Sequence, residues 1–321
     1  MLDSKAHLLS QARQEQFKPE NLEKVMQLLE VLKAFMTVPY LKDRLALKGG
    51  TALNLFHFES LPRLSVDIDL NYIGSIDKSI MLEERPVINR AIEQILSDMG
   101  MTAYRNPTTY AGGKMIWQYK SLLGQKGNLE IDLNYMYRQP LLDLEWKLPN
   151  LTREGSIEVP VLDVHELASG KLAALFNRRT SRDFFDAHHL FTHGHLSLDQ
   201  LRPIWVAYLA MSEVSQEALK LGHLNYDLKD IHNQLLPVLK QDSNIRARGN
   251  LENWAQEMLE ALRKSLSILL PLRSSEEKFL QSIRTDGKIE PQLITGDRSL
   301  IDKLKGHPAL LWATSKAKSL A

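Results

Sequence analysis

Asp67 and Asp69, spaced i, i+2, follow a Gly49-Gly50-Thr51 turn inside the run KGGTALNLFHFESLPRLSVDIDLNY, Lys48 to Tyr72. Read as a strand, this segment puts Leu64, Val66, Ile68, Leu70 and Tyr72 on one side. Ser65, Asp67, Asp69 and Asn71 fall on the other, because successive side chains of a strand point to opposite faces. Two carboxylates then project from one face as hard oxygen ligands for a divalent cation. The glycine turn opens what reads as a short helix, whose first N–H groups and dipole favour an anion such as a phosphate. Alone, Gly-Gly-Thr is also an ordinary turn and Asp-x-Asp an ordinary solvated face. Together and in this order they point to metal-dependent nucleotidyl transfer.

Two further segments carry chemistry. In 129–137, Leu129, Ile131, Leu133, Tyr135 and Tyr137 take one strand face, and Glu130, Asp132 and Asn134 the other. Paired near the first strand, Asp132 would complete a cluster of three carboxylates or deprotonate an attacking hydroxyl. Alternation with a single acid is equally what a solvent-facing strand shows. In 163–190, Asp163 and Glu166 form a candidate capping box that starts a helix. Lys171 follows on that helix, a flexible point charge suited to a triphosphate. Arg178, Arg179 and Arg182 add positive charge, and Asp183 and Asp186 come next, Arg182 and Asp186 at i, i+4. The competing reading is a solvated helix with one intrahelical ion pair, worth a few tenths of a kcal/mol.

The elements that must position these residues are legible in outline. Residues 21–37 have helical apolar spacing with Asn21 as a cap, and 86–99 form a second helix from Pro86 to the Gly100 stop. Residues 114–120, after Gly112-Gly113, and 128–137 read as strands. Segment 140–161, with Pro140, Pro149, Gly155 and Pro160, reads as strands and connections at a domain edge. Beyond Asp163 the pattern is helical, over 164–178, 182–192, 197–211, 213–221, 227–239 and 249–270.

Composition sets limits. The chain has 321 residues, 44% hydrophobic and 25% charged, enough for two ordinary domains. It has no cysteine, which removes disulfides, thiolate metal sites and cysteine nucleophiles. The ten histidines show no HExxH spacing; the densest group, His188, His189, His193 and His195, reads as a helix end running into a turn. A formal net charge of +1 favours neither presence nor absence of a nucleic-acid partner. No apolar run approaches the roughly 18 residues of a membrane span. The N-terminus lacks a signal-peptide pattern, so a cytoplasmic protein is expected.

The run GGTALNLFHFESLPRLSVDIDL resembles the signature of the AbiEii-type nucleotidyltransferase toxins, which include the Men-type tRNA-modifying toxins, within the DNA polymerase beta-like superfamily. The matching positions are Gly49, Gly50, Thr51 and Leu53, then Arg63, Ser65, Asp67, Asp69 and Leu70. A later family motif, a helical lysine with Arg-Asp-x-x-Asp, is matched by Lys171 and by Arg182, Asp183 and Asp186. The tail around His307-Pro308-Ala309-Leu310-Leu311-Trp312 is similar as well. Sixteen residues separate Gly50 from Asp67, a gap that fits the toxins better than the antibiotic-modifying relatives.

The resemblance implies an α+β chain. A polymerase beta-like nucleotidyltransferase domain with a small mixed sheet would span residues 1–160, and a mostly helical domain residues 161–321. It implies a toxin of a toxin–antitoxin or phage-defence system, with NTP as substrate and Mg²⁺ as cofactor. Nucleotides would be transferred to an RNA acceptor, the tRNA 3′ end in studied relatives, blocking translation. The expected antitoxin is a winged-helix protein or a kinase, for which Ser65 is the matching target. The expected catalytic set is Asp67, Asp69, Lys171, Asp186 and Asp132, with Asp67 and Asp69 on the metal. Gly49, Gly50, Thr51, Ser65, Lys171 and Arg182 would bind nucleotide. Transfer to a small molecule, or a non-catalytic NTP-binding role in a defence complex, are the alternatives.

Overall fold

Alternation in the first half of the chain does build a sheet. In the computed structural model, described over residues 4–105, 112–151, 155–241 and 251–320, the described strands are β1 (Leu45–Lys48), β2 (Asp67–Tyr72), β3 (Thr102–Arg105), β4 (Gly112–Lys120), β5 (Lys126–Asn134), β6 (Glu145–Lys147) and β7 (Val159–Val161). They form one mixed sheet of seven strands in the order β3-β4-β5-β2-β1-β7-β6. β2 runs antiparallel to β1 and parallel to β5, and β4 antiparallel to β5.

One sheet face is apolar. Ile68, Leu70 and Tyr72 of β2, Met115 and Trp117 of β4, and Leu129, Ile131 and Leu133 of β5 are all buried. Helix α1 (Lys5–Glu15) precedes α2 (Pro19–Thr37), whose Leu22, Val25, Met26, Leu28, Val31, Leu32 and Phe35 recur at helical spacing and are buried. α2 packs against β5, and each such buried side chain contributes about 1.5–3 kcal/mol. α2 starts two residues before the expected cap, with Pro19 at its first turn. Asn21 instead donates from its side chain to the Pro237 carbonyl, at 2.8 Å. After the single turns α3 (Pro39–Lys42) and α4 (Gly49–Ala52), helix α5 (Lys78–Asp98) also begins earlier than expected, because the Asp77 carboxylate accepts from the Ser79 and Ile80 N–H groups; Pro86 lies inside it.

The first strand is shorter than its alternation suggests. Residues 64–66 precede β2, and Leu64 instead donates its N–H to the Val238 carbonyl while Arg63 bridges Leu239. β5 ends at Asn134, whose side-chain oxygen accepts from the N–H groups of Met136 and Tyr137 and turns the chain.

The chain divides into two units. The first comprises Met1–Arg138, Leu144–Leu162 and Pro237–Asn244; the second comprises Gln139–Asp143, Asp163–Leu236 and Ile245–Ala321. The second unit is helical among its described residues. α6 (Val164–Arg178), α7 (Ser181–His193) and α8 (Leu198–Met211) lead it, and helices Leu251–Leu266, Ser274–Arg284, Arg298–Gly306 and Pro308–Leu320 follow. The expected helix at 213–221 is two short 3₁₀ turns, and 227–239 is a broken run of α, π and 3₁₀ turns. No helix among the described residues is long and apolar enough to cross a membrane.

Candidate active site

β1 delivers the chain directly into the glycine turn. Gly49–Ala52 makes a single helical turn, continued by a π-helical turn over Leu53–His57. Lys48 gives no side-chain cap, so the first-turn N–H groups have no intrahelical acceptor. Gly49 has φ +72°, the left-handed region where a side chain is strained. A Cβ there would also lie 2.9 Å from Asp69 Cγ and overlap a carboxylate oxygen. The absent side chain is what lets the Asp69 carboxylate lie against the turn.

Thr51 is fully buried, and its hydroxyl donates to the Asp67 carbonyl at 2.5 Å. That bond ties the glycine turn to the first residue of β2 and occupies the Thr51 hydroxyl proton. Ser65, two residues before Asp67, is 8% exposed.

The register places the acids together. Asp67 pairs with Glu130 and Asp69 with Asp132 across the parallel β2–β5 ladder, so all four share the sheet face opposite the apolar one. Asp67, Asp69, Glu130 and Asp132 are half-buried. On the strands flanking this pair, Lys48 of β1 stands opposite Asp69, and Lys114 of β4 opposite Asp132. The Lys114 ammonium bonds Glu130 Oε2 at 2.5 Å. Partial burial works against its charge, but the Glu130 hydrogen bond and the charges of Asp67, Glu130 and Asp69 outweigh it and raise its pKa.

Among the described residues, no three or more His, Asp or Glu side chains are grouped to hold a metal ion by themselves. The donor chemistry of Asp67 and Asp69 nonetheless fits Mg²⁺, which is usually bound through one or two carboxylates plus substrate phosphates and water. The Lys114 ammonium, bonded to Glu130, is a cation already held on the same sheet face.

The lysine motif assembles within the second unit. Lys171 Nζ lies 2.8 Å from Asp186 Oδ2 and 3.2 Å from Asp183 Oδ1. Asp183 also accepts from Arg178, at 2.6 and 3.0 Å, and from the Thr180 hydroxyl at 2.7 Å. Burial alone would raise the Asp183 pKa; the charges of Lys171 and Arg178 and these hydrogen bonds bring it down to about 2. Asp186 therefore pairs with Lys171 on the neighbouring helix, where the sequence placed it at i, i+4 from Arg182. Arg182 is half-exposed on α7.

The start of α6 departs from a capping box. Asp163 caps the His165 N–H, but Glu166 accepts from the N–H groups of Leu141 and Leu142 and from the Tyr208 hydroxyl. On α7, the His189 ring stacks between Phe185 and His193, with centroids at 5.9 and 4.3 Å, as a helix end.

Asp67, Asp69 and Asp132 thus come together on one sheet face, and Lys171, Asp183 and Asp186 on one helix pair; the two sets belong to different units. Sequence reasoning missed Lys48, Lys114 and the part played by Glu130. Lys114 opens an expected strand, but only the β4–β5 pairing shows that its neighbours are the acids.

A family model described as "Nucleotidyl transferase AbiEii toxin, Type IV TA system" matches residues 30–281. Among solved structures, the chain is similar to MenT4, a nucleotidyltransferase toxin from Mycobacterium tuberculosis H37Rv. The match has 18% identity and a TM-score of 0.61, and covers 95% of this chain and 97% of that one. At that identity it speaks for the fold. No curated protein matches in sequence.

Proposed function

The chain belongs to the AbiEii nucleotidyltransferase toxins of type IV toxin–antitoxin systems, and from that membership we propose that it transfers nucleotides from an NTP to the 3′ end of a tRNA in the cytoplasm, with Mg²⁺ held by Asp67 and Asp69. The observation that carries the site assignment is the shared sheet face of Asp67, Asp69 and Asp132, with Gly49 packed against the Asp69 carboxylate.

Bound there, Mg²⁺ would supply charge stabilisation to the phosphoryl oxygens. The N–H groups of Gly49 and Gly50 would hold the triphosphate at a helix start. Asp132 would take the proton of the acceptor hydroxyl as its oxygen attacks the α-phosphorus. The bond from the α-phosphorus to the bridging oxygen would break and pyrophosphate would leave. Lys171 would contribute positive charge to the triphosphate, Asp186 would hold Lys171, and Arg182 would add a second cation.

Membership in a type IV system implies a cognate antitoxin. A kinase acting on Ser65 would place about −1.5 to −2 charges two residues from Asp67 and repel the triphosphate.

The test is transfer of label from each NTP to total tRNA with Mg²⁺, using Asp67→Ala as control. Label on tRNA with one NTP, lost in Asp67→Ala, is expected. Transfer that survives Asp67→Ala would remove the metal-site assignment. Binding of NTP without any labelled tRNA would move the acceptor to another class.

A further inference from the structure

The acidic face has a regular composition. Reading the register across β1, β2, β5 and β4 gives one row, Lys48, Asp69, Asp132 and Lys114. The row beside it is Asp67, Glu130 and Ile116. Carboxylates are therefore stacked directly opposite one another on adjacent strands, an arrangement that repels. A lysine closes the row at each end. Lys114 does not bond Asp132, the residue directly across from it, but turns its ammonium to Glu130 at 2.5 Å. From there its charge also reaches Asp67 and Asp69.

We propose that Lys114 is the resident cation of this acidic block: Glu130, directly across from Asp67, parks its ammonium on the face that carries Asp67 and Asp69, where it balances their charge and competes with the divalent cation. The proposal rests on the reading of Asp67 and Asp69 as a cation site. The side chains of Lys114 and Glu130 are 46% and 29% exposed, and an ion pair so open to water adds little to fold stability. Its effect belongs on the occupancy of the site. A flexible four-carbon stem lets the ammonium withdraw without backbone movement. Parking would keep the acids from repelling one another before substrate arrives, and withdrawal would free them for the cation and the charged nucleotide.

The experiment is a titration of the full-length protein with Mn²⁺ alone, free Mn²⁺ being read by electron paramagnetic resonance. Lys114→Met should bind Mn²⁺ about tenfold more tightly, the effect of removing one nearby positive charge at a partly solvated site. Lys114→Arg should stay near wild type. Glu130→Gln should bind about threefold more weakly, since the unparked ammonium moves onto Asp67 and Asp69. A merely structural ion pair would weaken binding in Lys114→Met and Glu130→Gln alike, so opposite signs are the signature of parking. Equal or weaker binding by Lys114→Met, while Asp67→Asn still abolishes binding, overturns the proposal and leaves the cation site standing. Wild-type protein with no Asp67-dependent Mn²⁺ binding would remove both.

Discussion

Asp69 and Asp132 stand directly opposite each other on adjacent parallel strands, both half-buried, with their carboxylates on the same sheet face. Like charges in that position destabilise a sheet by about 0.2–1 kcal/mol. The proposed role of Asp132 as the base would account for keeping so costly a pair. Asp132→Asn should therefore raise the melting temperature in metal-free buffer by a few degrees, about what ~1 kcal/mol gives a domain of this size. The same variant should slow nucleotide transfer by about 10²–10⁴-fold, the usual contribution of a general base. Paired thermal unfolding and transfer rates check both. A destabilised variant with full activity would return Asp132 to an ordinary strand residue.

Gly49 offers a sharper test, because two constraints meet there. Its φ of +72° disfavours any side chain, and a Cβ would overlap the Asp69 carboxylate. Gly49→Ala should cost about 1–2 kcal/mol through the backbone alone. It should also push Asp69 off its position, so activity should fall much further than stability. Urea unfolding against turnover separates the two. A variant that loses stability but keeps its rate per folded molecule would show that Asp69 can relocate without consequence.

How much of this was open to reading depends on whether the signal is local. Asp67 and Asp69 share a face by alternation alone, and α6, α7 and α8 follow from helical apolar spacing. Pairing partners are not local. β1 has four residues and β6 and β7 three each, too few for a periodic pattern. The parallel neighbour of β2 lies on the far side of a long helix and two other strands. Residues 64–66 alternate like a strand, yet Leu64 donates to the Val238 carbonyl and Arg63 before it bridges Leu239. Glu166 has the spacing of a capping box but finds better donors in Leu141 and Leu142. The second carboxylate of the acid block, Glu130, was visible as an outward residue, while its lysine neighbour was not.

Lys171 is held by two carboxylates that are almost fully buried. Removing one partner of such a cluster leaves charge uncompensated and typically costs about 3–5 kcal/mol. Lys171→Met should thus lower stability markedly as well as weaken nucleotide engagement. Lys171→Met combined with Asp186→Asn should recover part of the stability and none of the nucleotide affinity. Calorimetry with and without NTP reads both quantities. Recovery of NTP affinity in the double variant would show that Lys171 has no role beyond neutralising Asp186.

Glu166 and Asp183 lie in the same unit and are pushed in opposite directions, which gives the pH profile two limbs. For Asp183 the folded pKa is depressed to about 2. Its stabilisation is present above the ordinary carboxylate range and is lost as pH falls from about 4 toward 2, roughly 2 kcal/mol in all. Burial raises Glu166 to about 7, the Leu142 and Leu141 N–H groups and the Tyr208 hydroxyl offsetting only part of it. Its contribution is fully present below about pH 4.5 and is lost as pH rises through 7, roughly 3 kcal/mol. Glutamine in its place can still accept from Leu141 and Leu142 without carrying charge. Glu166→Gln should therefore flatten the alkaline limb, gaining on wild type between about pH 5 and 8, while Asp183→Asn should flatten the acid limb at the expense of stability near neutrality. Urea unfolding of the three proteins from about pH 2 to 8 covers both limbs and gives the answer. Parallel curves for wild type and Glu166→Gln would mean that water or a local opening keeps Glu166 ionised at little cost.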